Sequence, residues 1–431
     1  MLKNILFYTL IIFSLQGSTY MKGQSINTTN KNSAPNILLI IADDMGKDPI
    51  NGFAEGSIKA NTPNIDNFRN KGITFNNVWS NPVCSSTRAA LITGKYGFRT
   101  NVKGVGDILS ITETSLQQYI NEKSGNAYAT AIVGKWHLSG NRAIFNPEIM
   151  GIDFYSGFIK GAVQDYYNWT LNEDGSSNQQ NSYITEALTT TSINWIKNHT
   201  KPWFLWLAYN APHKPFHVPP MNMHKQGELP AYEKGMNATP YYLAAIEAMD
   251  FQIGRLLNTI PVDERNNTLI IFIGDNGTPN NVAQSPYIST RVKSTLYQGG
   301  INVPMFISGK GVTRNEVDNN LINVTDLFST IAEVAGVKTT KIHDSKSITP
   351  LFTRDTIIRN FQYAEIKNEY IDMWAISDGR YKLIVNANGA KQLFFLTTDP
   401  YESINLLDSN LTPEQSSAML ALETQLILIR Q

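Results

Sequence analysis

The chain has 431 residues, with 36 Lys plus Arg against 36 Asp plus Glu and one cysteine. That length exceeds one ordinary compact domain, so it predicts one large domain with an appendage, or two domains, and a core that needs no covalent staples. Balanced charge with no long run of either sign excludes a nucleic-acid-binding tail and a polybasic membrane surface.

The chain opens on "MLKNILFYTLIIFSLQGSTYMKGQS", where Lys3 precedes an apolar stretch and then small and polar residues. This order predicts a secretory signal peptide over residues 1–24 and a polar linker over 25–34, the apolar stretch being too short for a membrane span. The expectation is an exported protein, periplasmic or extracellular, without a membrane attachment after cleavage. Export leaves the lone Cys84 in an oxidising compartment as a free thiol, an intermolecular partner or a chemically altered residue.

Apolar, β-rich runs then recur: "NILLIIAD" from Asn36, "ATAIVGKWHL" from Ala129, "FLWLAYNAPH" from Phe204, "TLIIFIGDNG" from Thr268 and "VPMFISG" from Val303. They read as buried strands. Between them, Tyr183 to Asn198 and Tyr242 to Thr259 carry apolar residues at helical spacing. Alternation of this kind predicts an α/β fold with a mostly parallel central sheet flanked by helices. The Asn/Ser/Gln-rich stretch Asn168 to Asn181 and the Pro/Met-rich stretch Pro212 to Pro240 read as long surface loops, of the sort that shape substrate mouths. After a main domain over residues 35–358, residues 359–431 change character: "WAISDGRYKLIV", the "NANG" turn and "KQLFFL" read as short antiparallel strands. Thr412 to Gln415, "TPEQ", is a capping box that opens a terminal helix.

Chemistry gathers at the strand ends, where open α/β sheets bind ligands. Asp43 and Asp44 close the first strand, and Asp275 and Asn276 close a later one. Three carboxylates and an amide oxygen repel one another unless a cation lies among them, and an all-oxygen set suits Ca2+ or Mg2+. Lys135 and His137 are two apart, so on a strand continuing through both they share a side. His213 and Lys293 follow further strands; with Arg88 these residues offer an oxyanion fixed positive charge, hydrogen-bond donors and a proton source. In "CSSTRAALITG" a Ser or Thr caps a short helix that Gly94 ends. Cys84 then stands at a helix start, where an anion is favoured, with Arg88 one turn on facing the same way.

Taken together, "NILLIIADDMG", "CSSTRAALITGKYG", "GKWHL", "NAPHKPF", "GDNG", "KSTLYQGGINVP" and the C-terminal "KQLFFLTTDPYESINLL" resemble, in order, the motifs of the type I sulfatases, the formylglycine-dependent arylsulfatase-like branch of the alkaline phosphatase superfamily. The resemblance covers nearly the whole chain after residue 34 and implies an alkaline-phosphatase-like sandwich with a small C-terminal antiparallel sheet and terminal helix. It further implies that a formylglycine-generating enzyme oxidises Cys84 to formylglycine, whose hydrate attacks sulfur. Asp43, Asp44, Asp275 and Asn276 would hold one Ca2+ that also binds residue 84. Arg88, Lys135 and Lys293 would neutralise sulfate, His213 would protonate the leaving alcohol, and His137 would assist at the diol. Aromatic and amide residues in "QDYYNW" and "NAPHKPFHVPP" suit a sulfated carbohydrate. The chain departs from the family at Ser86, where Pro or Ala is usual, and at Thr87, where Ser is common. Gln298 and Asn302 stand where relatives often carry Glu and Arg. Two other readings are a phosphodiester or phosphonate hydrolase of the same superfamily, and a binder of sulfated glycans in which Cys84 stays a thiol.

Overall fold

Ten apolar or polar strands make one mixed sheet in the computed structural model, which describes residues 34–140, 143–338 and 342–431. The expected signal peptide, and the linker except Ala34, lie outside the described residues. The strands are β1 (Asn36–Ala42), β2 (Ile73–Trp79), β3 (Ala129–Lys135), β4 (Phe154–Phe158), β5 (Trp169–Glu173), β6 (Ser176–Gln180), β7 (Trp203–Ala208), β8 (Thr268–Gly274), β9 (Met305–Gly309) and β10 (Val317–Asn323). Their spatial order is β10-β2-β9-β8-β1-β7-β3-β4-β5-β6. The run β8-β1-β7-β3-β4 is parallel throughout, β9 runs against both of its neighbours, and β5 and β6 close one edge antiparallel.

Burial on both faces explains why the central strands are continuous apolar runs. In β1, Ile37, Leu39 and Ile41 enter one core, while Leu38, Ile40 and Ala42 enter the other. The first core is covered by helices Cys84–Thr93, Leu116–Ser124 and Asp326–Val334, and the second by Pro63–Arg69, Ile184–Lys197 and Thr239–Thr259. Each fully buried Leu or Ile on these faces contributes about 1.5–3 kcal/mol by leaving water. No helix among the described residues is long and apolar enough to cross a membrane.

Two expectations are corrected here. The stretch Asn168 to Asn181 is a hairpin, β5 and β6, and not a loop. Its mostly exposed polar residues hide the period of a strand, but Asp174 (φ 47°) and Gly175 (φ 71°) at the turn are both left-handed, the geometry that an Asp-Gly pair favours between two strands. The strand Ala129–Lys135 stops before His137, which sits at φ 59°, so the two-residue spacing does not put Lys135 and His137 on one strand face.

A second sheet holds β11 (Gln362–Lys367), β12 (Asp372–Ser377), β13 (Tyr381–Asn386) and β14 (Lys391–Phe395), all antiparallel in sequence order. Ala364, Ile366, Ala375, Ile384 and Phe394 pack on Trp79, Leu296 and Ile301 of the main body. On the other face Tyr363, Ile376 and Leu383 pack on Leu422 and Leu426 of the helix Pro413–Arg430, which begins on the expected capping box.

This sheet is tied to the body by a buried ion pair, Lys382 Nζ to Glu402 Oε1 at 2.5 Å, with Lys382 also over the Trp79 ring. The second Glu402 oxygen accepts from the Gln298 amide, and the Glu402 carbonyl accepts from Arg291, so one residue holds both ends of the loop that carries Lys293. Glu402→Gln strands a buried ammonium, and its expected cost is about 3 kcal/mol. Thermal denaturation of wild type and variant measures it; an unchanged midpoint would refute the role given to this pair.

Candidate active site

Parallel strands put their carboxyl ends on one edge, and β8, β1, β7 and β3 are neighbours. Asp275 and Asn276 follow β8, Asp43 and Asp44 follow β1, His213 lies beyond β7, and Lys135 ends β3. Four sequence-distant groups of polar residues thus meet without any long excursion of the chain. Asp44 and His137 are held at φ 63° and 59°, and Ser294, next to Lys293, at 70°. Left-handed non-glycine residues clustered around one spot mark a place where packing enforces side-chain direction.

Cys84 enters from the side, as the first residue of the helix Cys84–Thr93. The expectation that a Ser or Thr side chain caps this helix is not met: Val83 is the N-cap and gives no side-chain bond. Instead Ser86 Oγ donates to the Val83 carbonyl, and Thr87 Oγ1 accepts from the Asn81 amide and donates to its carbonyl. Gly94, at φ 66°, ends the helix as expected. Arg88, one turn after Cys84, donates to Asp275 Oδ2 at 2.9 Å and to the Lys135 carbonyl at 3.0 Å.

The charges are arranged in pairs. Arg88 meets Asp275, Lys135 Nζ lies 2.6 Å from Asp43 Oδ2, and Lys293 bonds Asp44 Oδ2. Arg88 and Lys135 are buried, whereas the Lys293 side chain keeps 18% exposure, which makes it the cation an arriving anion meets. Burial alone would raise the Asp44 carboxyl, but Lys293, then His213 and Lys135, hold it below the usual range. Burial and then Asp43 push the Asp275 carboxyl up. Burial pushes the Cys84 thiol up to about 12, with Lys135 opposing and Asp43 and Asp275 reinforcing.

His213 Nδ1 lies 2.6 Å from the Lys214 carbonyl, which can only accept, so this nitrogen carries a hydrogen. Its Nε2 lies 3.5 Å from Asp44 Oδ2, where a lone pair would face a carboxylate unless a proton or cation comes between. Burial pushes the His137 imidazolium down, with Lys135 and Arg88 adding, and its buried Nδ1 has no partner among the described residues.

The residues present fit a hard cation. Asp43, Asp44, Cys84 and His213 bring potential ligand atoms within 4.8 Å of one another. Asp43 Oδ1 and Asn276 Oδ1 are buried acceptors without a hydrogen-bond donor among the described residues, the former with Arg88 at 3.9 Å. Asp275 differs: its oxygens go to Arg88 and to the Asp44 amide.

Several supporting residues were not given their role by the sequence reading, which took Tyr166 only as part of "QDYYNW", a stretch suited to a sugar. Tyr242 donates to the Asp44 carbonyl at 2.7 Å, and Tyr166 donates to the carbonyls of Asn210 and His213 at 3.1 and 2.6 Å. Tyrosines that bind backbone carry no spacing signal. Thr278 was findable, since it directly follows "GDNG"; it accepts from the Gly46 amide at 3.1 Å and donates to Asp48.

Beyond β7, His217 stacks on Tyr166 with ring centroids 3.5 Å apart, while Tyr183 and Asp165 also face it. Burial pushes its imidazolium down to about 4, against the Pro215 carbonyl and Asp165. The unfolded ring binds a proton near pH 6.5, so its contribution is whole above that pH and is lost as pH falls toward about 4. His217→Phe keeps the stack and removes the titration. The midpoint of thermal unfolding should therefore drop less for the variant than for wild type between pH 7 and pH 4.5; parallel curves would contradict the neutral, buried ring.

Comparison with known proteins gives matches along nearly the whole described chain. The sulfatase family model matches residues 35–337, and the model of the N-sulphoglucosamine sulphohydrolase C-terminal region matches residues 291–430. The arylsulfatase of Klebsiella aerogenes is 26% identical, over 74% of this chain and 90% of its own. An uncharacterized sulfatase of Escherichia coli, YdeN, is also 26% identical over 71% of this chain, which spans 63% of that longer relative. Among solved structures, Ps i-CgsB in complex with k-i-k-neocarrahexaose is 25% identical with a TM-score of 0.75, covering 91% of this chain and 93% of the other.

Proposed function

This chain belongs to the sulfatase family, and on that premise we propose that it is an exported, Ca2+-dependent hydrolase of sulfate esters on a carbohydrate, with a nucleophile made from Cys84. The observation that carries the reading is the convergence of four parallel strand ends on the start of the helix Cys84–Thr93, where three carboxylates, three cations and the His213 imidazole surround one cysteine. An exported address fits the signal-peptide pattern at the chain start.

Asp43, Asp44 and Asn276 would hold Ca2+, with Asp275 and residue 84 completing the set and His213 close by. When bound, that ion would polarise the sulfate oxygens and favour an ionised nucleophile at residue 84. Cys84, oxidised to formylglycine by a formylglycine-generating enzyme, would supply a hydrated aldehyde hydroxyl for attack on sulfur.

The chain's own groups do the remaining work. Lys293, the partly exposed cation, meets the sulfate first, and Arg88 and Lys135 supply fixed charge that needs no reorganisation as negative charge grows on its oxygens. His213 would present Nε2 to the leaving oxygen, because Nδ1 is committed to Lys214, and it would give up a proton there only after Nε2 has itself taken one, as the imidazolium. His137, whose Nδ1 has no hydrogen-bond partner among the described residues, would assist at the group formed at residue 84, while Gly161 packs against the ring's other nitrogen.

Parallel assays on purified protein, matured in its native host, test the reading. Sulfate should be released from 4-nitrophenyl sulfate and from sulfated glycans, with phosphate and phosphonate esters turned over far more slowly. A clear preference for phosphorus esters would replace it with the phosphodiester or phosphonate hydrolase.

A further inference from the structure

A cavity of about 580 Å³ opens at the edge of the sheet, lined among others by Phe158, Lys160, Gln164, Asn168, Thr170 and Gln179. Its volume lies within the ~300–1,000 Å³ of ordinary small-molecule sites. Three observations connect it with the catalytic centre. Trp136 and His137 donate their amides to the carbonyls of Phe158 and Ile159, at 3.1 and 3.0 Å, so the strip leaving β4 runs alongside the segment that carries His137. Gly161 lies against the imidazole so closely that a Cβ there would come within 2.3 Å of Nε2. Residues on either side of Gly161, Lys160 and Ala162, line the cavity. β4 pairs with β3, which ends on Lys135, and β5 pairs with β4, so the walls stand one and two strand spacings, about 5 and 10 Å, from the strand of Lys135.

The lining is chemically specific. Thr170 Oγ1 and Gln179, and Gln179 and Asn168, bond to one another across the hairpin and form a braced wall of amides and a hydroxyl. Lys160 is exposed and has no ion pair among the described residues, and Gln164, also exposed, has no side-chain hydrogen bond there. Amides offer donors and acceptors together, as sugar hydroxyls require, and an unspent ammonium adds a preference for negative charge.

We propose that this cavity is a subsite for a second sugar unit, the neighbour of the one bearing the scissile sulfate, and that Lys160 and Gln164 select a neighbour carrying an anionic substituent, a sulfate or a carboxylate. The inference rests on the reading of the catalytic centre given above. It makes the substrate an oligosaccharide with charge on adjoining units, and it gives the β5–β6 hairpin a role in specificity.

Size-fractionated tetrasaccharides of carrageenan, chondroitin sulfate and heparin, with 4-nitrophenyl sulfate as a substrate that has no second sugar, test it. For whichever tetrasaccharide is turned over, Lys160→Ala should lower the ratio of its kcat/KM to that of 4-nitrophenyl sulfate by about ten-fold, the scale of one lost charged hydrogen bond, chiefly through KM. An unchanged ratio, with both substrates affected alike or not at all, would overturn the subsite while leaving the sulfatase reading intact. Binding separates the two ideas if no substrate is turned over. In a Cys84→Ser background, calorimetric titration with the same tetrasaccharides should show weaker binding for Lys160→Ala and Gln164→Ala; binding that is absent, or equal in all three proteins, overturns the subsite.

Discussion

Replacing Cys84 by alanine should lower sulfate release by on the order of 10⁴-fold or more, the scale on which enzymes lose activity with their nucleophile, while leaving the fold and the binding of sulfated oligosaccharide in place. The side chain is 3% exposed at a helix start and its Sγ lies 4.0 Å from Asp44 Oδ1, so it stands at the focus of the charged groups. As an ordinary thiol in this charge environment it is disfavoured as a thiolate. Burial among Asp43 and Asp275 pushes it up to about 12, far from the range in which a thiolate attacks at neutral pH. On the proposed reading, activity at this position depends on conversion of the residue, and the mass of the Cys84 peptide from native protein should show an aldehyde in place of the thiol. Full turnover by Cys84→Ala, or by wild-type protein whose Cys84 is wholly unmodified, would sink the assignment. Unmodified Cys84 with oligosaccharide binding and no turnover would instead establish a glycan binder.

The folded structure constrains when such a conversion can occur. Ser85, Ser86 and Thr87 are fully buried, and Ser86 and Thr87 are tied by hydrogen bonds to Val83 and Asn81. A modifying enzyme must therefore read "CSSTR" before the chain folds. The unusual Ser86 and Thr87 serve the folded turn well, and protein produced without a formylglycine-generating enzyme, then mixed with one after folding, should stay unmodified.

The strand ends were legible in the sequence for a simple reason. A strand buried on both faces is a run of Ile, Leu, Val and Phe, so an Asp-Asp or Asp-Asn at its end is conspicuous, and parallel order brings those ends together. Legibility failed where local pattern and structure separate. The β5–β6 hairpin is mostly exposed and polar, so its composition imitates a loop, and only Asp174-Gly175 marks the turn. His137 was placed by assuming that β3 continues, whereas the chain turns at φ 59°, its backbone amide donates to the Ile159 carbonyl and its ring lies against Gly161, contacts that no spacing encodes. Residues that brace the site through backbone carbonyls, such as Tyr166 and Tyr242, are invisible to pattern for the same reason.

Chelation should abolish turnover, and Ca2+ should restore it, with a loss of about 10³-fold or more if the ion supplies several kcal/mol at the sulfate. The charge arrangement adds a sharper expectation. Asp275 faces Arg88, Asp43 faces Lys135 and Asp44 faces Lys293, so the carboxylates and cations at the strand ends already balance. A divalent cation entering alone brings excess positive charge into a buried site and competes with lysines for Asp43 and Asp44, while a sulfate anion entering alone brings excess negative charge beside those same carboxylates. Each relieves the other, so their binding should be mutually favourable, and thermodynamic linkage makes the effect equal in both directions. In the Cys84→Ser protein, Ca2+ affinity followed by calorimetry should rise by about 5- to 150-fold when saturating sulfate is present. Asp43→Asn should weaken Ca2+ binding and reduce this coupling, since it removes one ligand charge and leaves Lys135 unpaired. Affinity for Ca2+ that is indifferent to sulfate would mean that the two do not share the site, and the assignment of Asp43, Asp44 and Asn276 as its ligands would have to be abandoned.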